Sequence, residues 1–149
     1  MCIRDRVYLG RTHSSSEVHG RVIQRLETEN ADKSVLEPLR QAAVDGKNAV
    51  YAGDFTALGA AMIRNTEAQA ALHPKLVSEE ARAVIEVARQ YGAVGWKVNG
   101  AGGDGGSLTI LCDAEGEHKR KFIEAVPGVD PRFQVIPTYL SRVGLRRWE

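Results

Sequence analysis

The order of periodicities along the chain predicts an α+β fold, a small antiparallel sheet with several helices packed on one face. Three observations carry this reading. Apolar residues recur with a period near 3.6 through much of residues 14–92. Two β-rich runs, 95–99 and 107–112, flank a loop with five glycines. One more helical stripe and one more short β-rich run follow.

Taken in order, Val7-Tyr8-Leu9-Gly10 reads as a strand. Ser14 and Glu17 have the spacing of a capping box, in which hydroxyl and carboxylate satisfy the unpaired amides of a helix start. Val18, Val22 and Leu26 then share one face, with an end expected near residues 29–32. The stretch 34–72 is rich in Ala and Leu. Pro38 suits a first helical turn, where its missing N–H breaks no bond. Leu39, Ala42, Ala43 and Gly46 give a small-residue face for close packing. Gly53-Asp54 interrupts, and Asp54 is the cap of a helix in which Phe55, Leu58, Gly59, Met62, Thr66 and Gln69-Ala70 keep the period. Asn65 falls at the inner edge of that stripe, a position for a hydrogen-bonded interior amide or for a substrate contact.

His73-Pro74 ends that helix and Ser78 caps the next. Glu79 and Glu80 suit its positive end, Ala81, Val84, Ile85 and Ala88 form its buried stripe, and Gly92 stops it. Beyond the glycine loop, the pattern predicts a helix over 115–125 with Phe122 and Ile123 inward, then a strand at 133–136.

The loop is the chemically distinctive stretch: Lys97-Val98-Asn99-Gly100-Ala101-Gly102-Gly103-Asp104-Gly105-Gly106. Five glycines exceed what a tight turn needs, and such loops commonly turn backbone N–H groups toward phosphate. Residues 100–105 satisfy G-x-G-x-x-G, but a dinucleotide loop opens into a helix, and Ser107-Leu108-Thr109-Ile110-Leu111-Cys112 reads as a strand. An NAD-dependent enzyme would require a helix starting at Gly105 or Gly106. A Walker loop needs Lys and then Ser or Thr after its last glycine. A protein kinase needs His-Arg-Asp and Asp-Phe-Gly downstream. The chain has neither.

The segment 97–106 resembles the third, C-terminal motif of the GHMP kinases. The preceding helix with Gly92-Ala93 fits the same resemblance. So does the opening Tyr8-Leu9-Gly10-Arg11-Thr12-His13-Ser14-Ser15-Ser16-Glu17, which is most similar to the sugar and sugar-phosphate kinases, the heptose-phosphate kinase and galactokinase-like branch. The resemblance implies a ferredoxin-like C-terminal domain over 7–149. It implies phosphoryl transfer from ATP, with Mg2+, to a sugar hydroxyl, and a loop of Gly100, Ala101, Gly102, Gly103, Asp104, Gly105 and Gly106 lining the phosphate site. It also implies that the segment from His13 to His19 borders the substrate. The family more often has glycine at Asp104. That carboxylate either orients a sugar hydroxyl or magnesium, or points outward from the turn. Lys97 is a candidate for neutralising phosphate, Ser107 for donating to an oxygen, and Cys112 for the core. No catalytic base stands out. The family's nucleotide loop, of the form Pro-x-x-x-Gly-Leu-x-Ser-Ser, is absent, so an N-terminal ATP-binding half of the same chain is the expected partner. A non-catalytic ferredoxin-like module that binds a small regulatory molecule is the alternative.

The 149 residues are one domain's worth of chain, 43% hydrophobic and 26% charged, as in ordinary globular proteins. A net charge of +1 offers no footprint for nucleic acid; Arg142, Arg146 and Arg147 are too few to change that. No apolar run is long enough for a membrane span, and no signal peptide is visible, so a cytoplasmic location is expected. Residues 1–6, Met-Cys-Ile-Arg-Asp-Arg, read as an in-frame translation of a sequencing adapter and are expected to lie detached from the core. Setting them aside brings the net charge to zero and leaves Cys112 as the one cysteine.

Overall fold

The structure, a computed structural model, describes residues 4–11, 15–28, 32–100, 102–103 and 105–138. Its centre is strand β1 (Arg4–Tyr8), paired antiparallel with β3 (Ser107–Leu111) on one side and β4 (Gln134–Pro137) on the other. Strand β2 (Gly95–Asn99) lies beyond β3, so the sheet order is β2-β3-β1-β4, antiparallel throughout. Between β1 and β2 come α1 (Ser15–Glu27), α2 (Glu37–Ala52), α3 (Phe55–Leu72) and α4 (Glu79–Gln90). Helix α5 (Gly116–Val129) joins β3 to β4. The β-α-β-β-α-β order is that of a ferredoxin-like domain, as expected.

Register explains the core. Val98, Leu108 and Val7 stand side by side across three strands, and all three are buried. With Trp96 and Ile110 they form one face of the sheet, on which α4 lays Ala81, Val84, Ile85 and Ala88, and α5 lays Phe122 and Val126. The other face carries Lys97, Thr109, Asn99 and Ser107, in accord with period-two alternation. There Asn99 ties the two strands, donating to Ser107 Oγ at 3.1 Å and accepting from Thr109 Oγ1 at 3.1 Å.

Helix α3 closes the outer edge of β2. Gly59 and Gly95 meet backbone to backbone, and a Cβ on either would collide with the other's main chain or with the Val94 carbonyl. Where the helix is that close, the Thr66 hydroxyl donates to Trp96 O at 3.2 Å and accepts from Val98 N at 3.4 Å. One side chain thus satisfies two groups of an otherwise open strand edge.

Three expectations are corrected. Residues Arg4, Asp5 and Arg6 are not detached: they form most of β1. Ladder bonds need only backbone, and Asp5 inward with Arg6 outward continues the alternation of Val7, Tyr8 and Leu9. Asp5 is buried and its Oδ2 lies 3.2 Å from Lys119 Nζ. Met1, Cys2 and Ile3 lie outside the described residues, as does Ser14 of the proposed capping box. Helix α1 ends at Glu27, short of residues 29–32. Helix α5 runs on through Pro127 to Val129. Proline's fixed φ is helical, so Pro127 costs the one bond that its missing N–H would have made, and the helix ends two residues later.

Candidate functional site

Each neighbour of the glycine loop is fixed by its own local chemistry. Asp54 Oδ1 caps α3 through Ala57 N at 2.9 Å. His73 then leaves the helix in an extended conformation, and its Nδ1 accepts from Lys75 N at 3.2 Å. That bond starts a 3-10 turn, Pro74–Leu76, and Ser78 Oγ caps α4 at Ala81 N directly after it. The turn delivers the carbonyls of Lys75 and Leu76 to the loop.

The described loop residues are held from several sides. Gly103 N donates to Lys75 O at 2.9 Å, and Gly106 N to Arg11 O at 3.1 Å. Gly106 O accepts from Leu9 N at 3.0 Å, and Gly100 O from Gln69 Nε2 at 3.0 Å. Gly100, Gly102, Gly103 and Gly106 all have positive φ, between 63° and 85°. Gly102 combines that conformation with a backbone contact so close that a Cβ would overlap the Leu76 carbonyl oxygen. At Gly102 and Gly105 glycine is therefore required by the chain's own packing, and at Gly100, Gly103 and Gly106 by the positive φ. Two amides of the segment are spent on internal carbonyls, which makes this a shelf braced from behind. Ala101 and Asp104 lie outside the described residues.

After the loop the chain forms β3, with no helix at Gly105 or Gly106. The dinucleotide arrangement is thereby excluded.

Other singled-out residues fall elsewhere. Lys97 Nζ donates to Val98 O at 3.0 Å, and burial pushes its pKa down. It lines a cavity between α2 and α3. Asn65 lines the same cavity, and its Oδ1 is buried with no hydrogen-bond donor, unlike the satisfied amide expected. Cys112 is core; burial foremost, and then the Asp5 carboxylate, raise its thiol to about 11. His13 lies outside the described residues and His19 is exposed on α1. Among the described residues no group of three His, Cys, Asp or Glu side chains could hold a metal ion. No helix among the described residues is long and apolar enough to cross a membrane. Thr66 and Gln69 were expected on the periodic stripe of α3, but without their bonds to the β2 edge and to Gly100 O. The available signal was a polar side chain recurring on the buried stripe of α3.

Residues 47–127 match the family described as GHMP kinases C terminal. The chain belongs to the GHMP kinases. Solved structures agree at the level of fold. The chain is similar to L. major mevalonate kinase in complex with R-mevalonate, with a TM-score of 0.71 and 20% identity over 87% of this chain and 40% of that one. For homoserine kinase from Cytophaga hutchinsonii the TM-score is 0.60 at 14% identity, over 89% and 40%. For mevalonate kinase from methicillin-resistant Staphylococcus aureus it is 0.58 at 16%, over 89% and 41%. The chain thus spans about two fifths of the length of these structures. No curated protein matches it.

Proposed function

We propose that this GHMP kinase chain is the C-terminal part of an ATP-dependent sugar or sugar-phosphate kinase, and that residues 100–106 line its phosphate site. One observation carries the reading: a glycine loop between paired strands, braced from behind through Gly103 and Gly106, in a chain of this family. Kinases of the family use ATP, typically with Mg2+. Phosphoryl transfer asks a protein mainly for position and charge stabilisation. The brace supplies position. On this reading Gly100, Gly102 and Gly105 turn toward the phosphates or toward the loop that holds them, while Gly103 and Gly106 anchor. When bound, Mg2+ supplies charge neutralisation at the phosphates; no described residue is assigned as its ligand. The nucleotide loop and the catalytic base belong, on this reading, to an N-terminal half. The sugar preference rests on the resemblance of residues 8–17, whereas the structural relatives above are mevalonate and homoserine kinases, alike in fold only.

The test is a substrate panel on the longer protein read from genomic DNA upstream of Val7. ATP-dependent phosphorylation of a hexose or heptose phosphate, at least about a hundredfold faster than of mevalonate or homoserine, is expected. A preference for either of the latter overturns the sugar assignment, and no ATP turnover with any substrate leaves the small-molecule-binding module.

A further inference from the structure

Away from the glycine loop, α2 and α3 border a cavity of about 480 Å³, within the usual range for small-molecule sites. Its walls are mostly apolar: Ala42, Ala43 and Val50 from α2, Leu58, Ala61 and Met62 from α3. Its polar groups are few, the Tyr51 hydroxyl among them, and its charged groups are all cationic. Lys97 reaches it from the open face of the sheet, Lys47 from α2, and Asn65 from α3, and no carboxylate lines it. Lys97 is half-buried and gives one N–H to the Val98 carbonyl, so an ammonium group keeps two more donors. Lys47 has no ion-pair partner among the described residues. Asn65 adds a neutral amide to the same wall.

A large apolar wall with two unpaired or part-paired cations and no anion is matched by one kind of ligand, a small amphiphile with an aliphatic body and a single anionic head. We propose that the α2–α3 cavity is a binding site for such an amphiphilic anion, its head on Lys97 and its chain along Ala43 and Met62. The site is separate from the glycine loop and does not rest on the kinase reading. Carboxylate and phosphate heads share the required chemistry.

Titration of the 149-residue chain with octyl phosphate and with octanoate, followed by amide chemical shifts, tests this. Saturable shifts centred on Ala43, Asn65 and Lys97 are expected for at least one of them, and the tighter one identifies the head group. Octanol and inorganic phosphate should each bind at least about tenfold more weakly. Lys97→Met should weaken binding about tenfold or more, Lys97→Arg should retain it within about threefold, and Ala43→Trp should fill the groove and abolish it. Circular dichroism of each variant reports folding, and the octanol comparison on the unaltered chain stands whatever the variants do. Equal affinity for octanol, unchanged affinity in folded Lys97→Met, or no saturable shifts would overturn the proposal. So would a concentration-dependent dimer that Ala43→Trp dissociates, which gives the groove to a second copy of the chain.

Discussion

Gly100 and Gly102 sit two residues apart with nearly the same φ, 67° and 63°, in different surroundings. A Cβ at Gly100 meets nothing, whereas at Gly102 it overlaps the Leu76 carbonyl. Gly100→Ala should therefore cost only the backbone term, on the order of 1–2 kcal/mol. Gly102→Ala should cost more, at least about 3 kcal/mol, because the 3-10 turn or the loop must move as well. Urea denaturation of both single variants checks the ranking; equal losses would mean that the contact with Leu76 is slack. A second contrast is electrostatic. His118 Nδ1 lies 2.6 Å from Asp113 Oδ2, and the hydrogen bond to that carboxylate, then its charge, raise the imidazole's pKa. A raised folded-state value means that the stabilisation is complete below the unfolded value of 6.5 and fades as pH climbs through the folded one. Melting temperatures of the wild type and His118→Gln should thus differ most at acid pH and converge by about pH 9. A gap that widens with pH contradicts the pairing.

Among elements, the α3–β2 contact depends on a single hydroxyl. Thr66→Val keeps the shape but removes both bonds, leaving Trp96 O and Val98 N without that partner. A loss of about 1–3 kcal/mol is expected, with Thr66→Ser recovering most of it. Faster amide exchange at Val98 in Thr66→Val, with little change at Val84 in α4, would tie the loss to the edge. This contact also shows where reading the sequence reached its limit. Caps and breakers are local, so Asp54, Ser78 and Gly92 were legible, and the β-rich run after Gly106 excluded a helix there. The close approach of Gly59 to Gly95 joins residues 36 positions apart, and no periodicity encodes which glycine meets which. Strand β1 was misjudged at its start because residues 1–6 were set aside as an adapter translation, yet a ladder flanked on both sides accepts Arg4, Asp5 and Arg6. At the candidate site, the five glycines were legible as a group. Their division into those that anchor and those that can face a ligand depends on Lys75 and Arg11, which carry no such mark.

For the whole molecule, the proposed reading gives this fold one side of an active site. Among the described residues there are four strands, five helices and the braced loop, with no recognisable second phosphate loop in the sequence. Phosphoryl transfer needs donor and acceptor aligned to about half an ångström. The purified 149-residue chain should accordingly turn over no ATP above a no-enzyme blank, with or without a sugar, in a coupled assay; measurable turnover would mean that the chain carries a complete site.

The bracing has a mechanical meaning as well. Swinging the segment outward would break Gly103 from Lys75 and Gly106 from both Arg11 and Leu9, and strip Gln69 from Gly100, all in one motion. The 3-10 turn at its back runs straight into the capped start of α4, whose stripe is part of the main core. Displacing the loop therefore means displacing the core. If the loop meets phosphate as proposed, it does so as an anvil: the ligand must come to it.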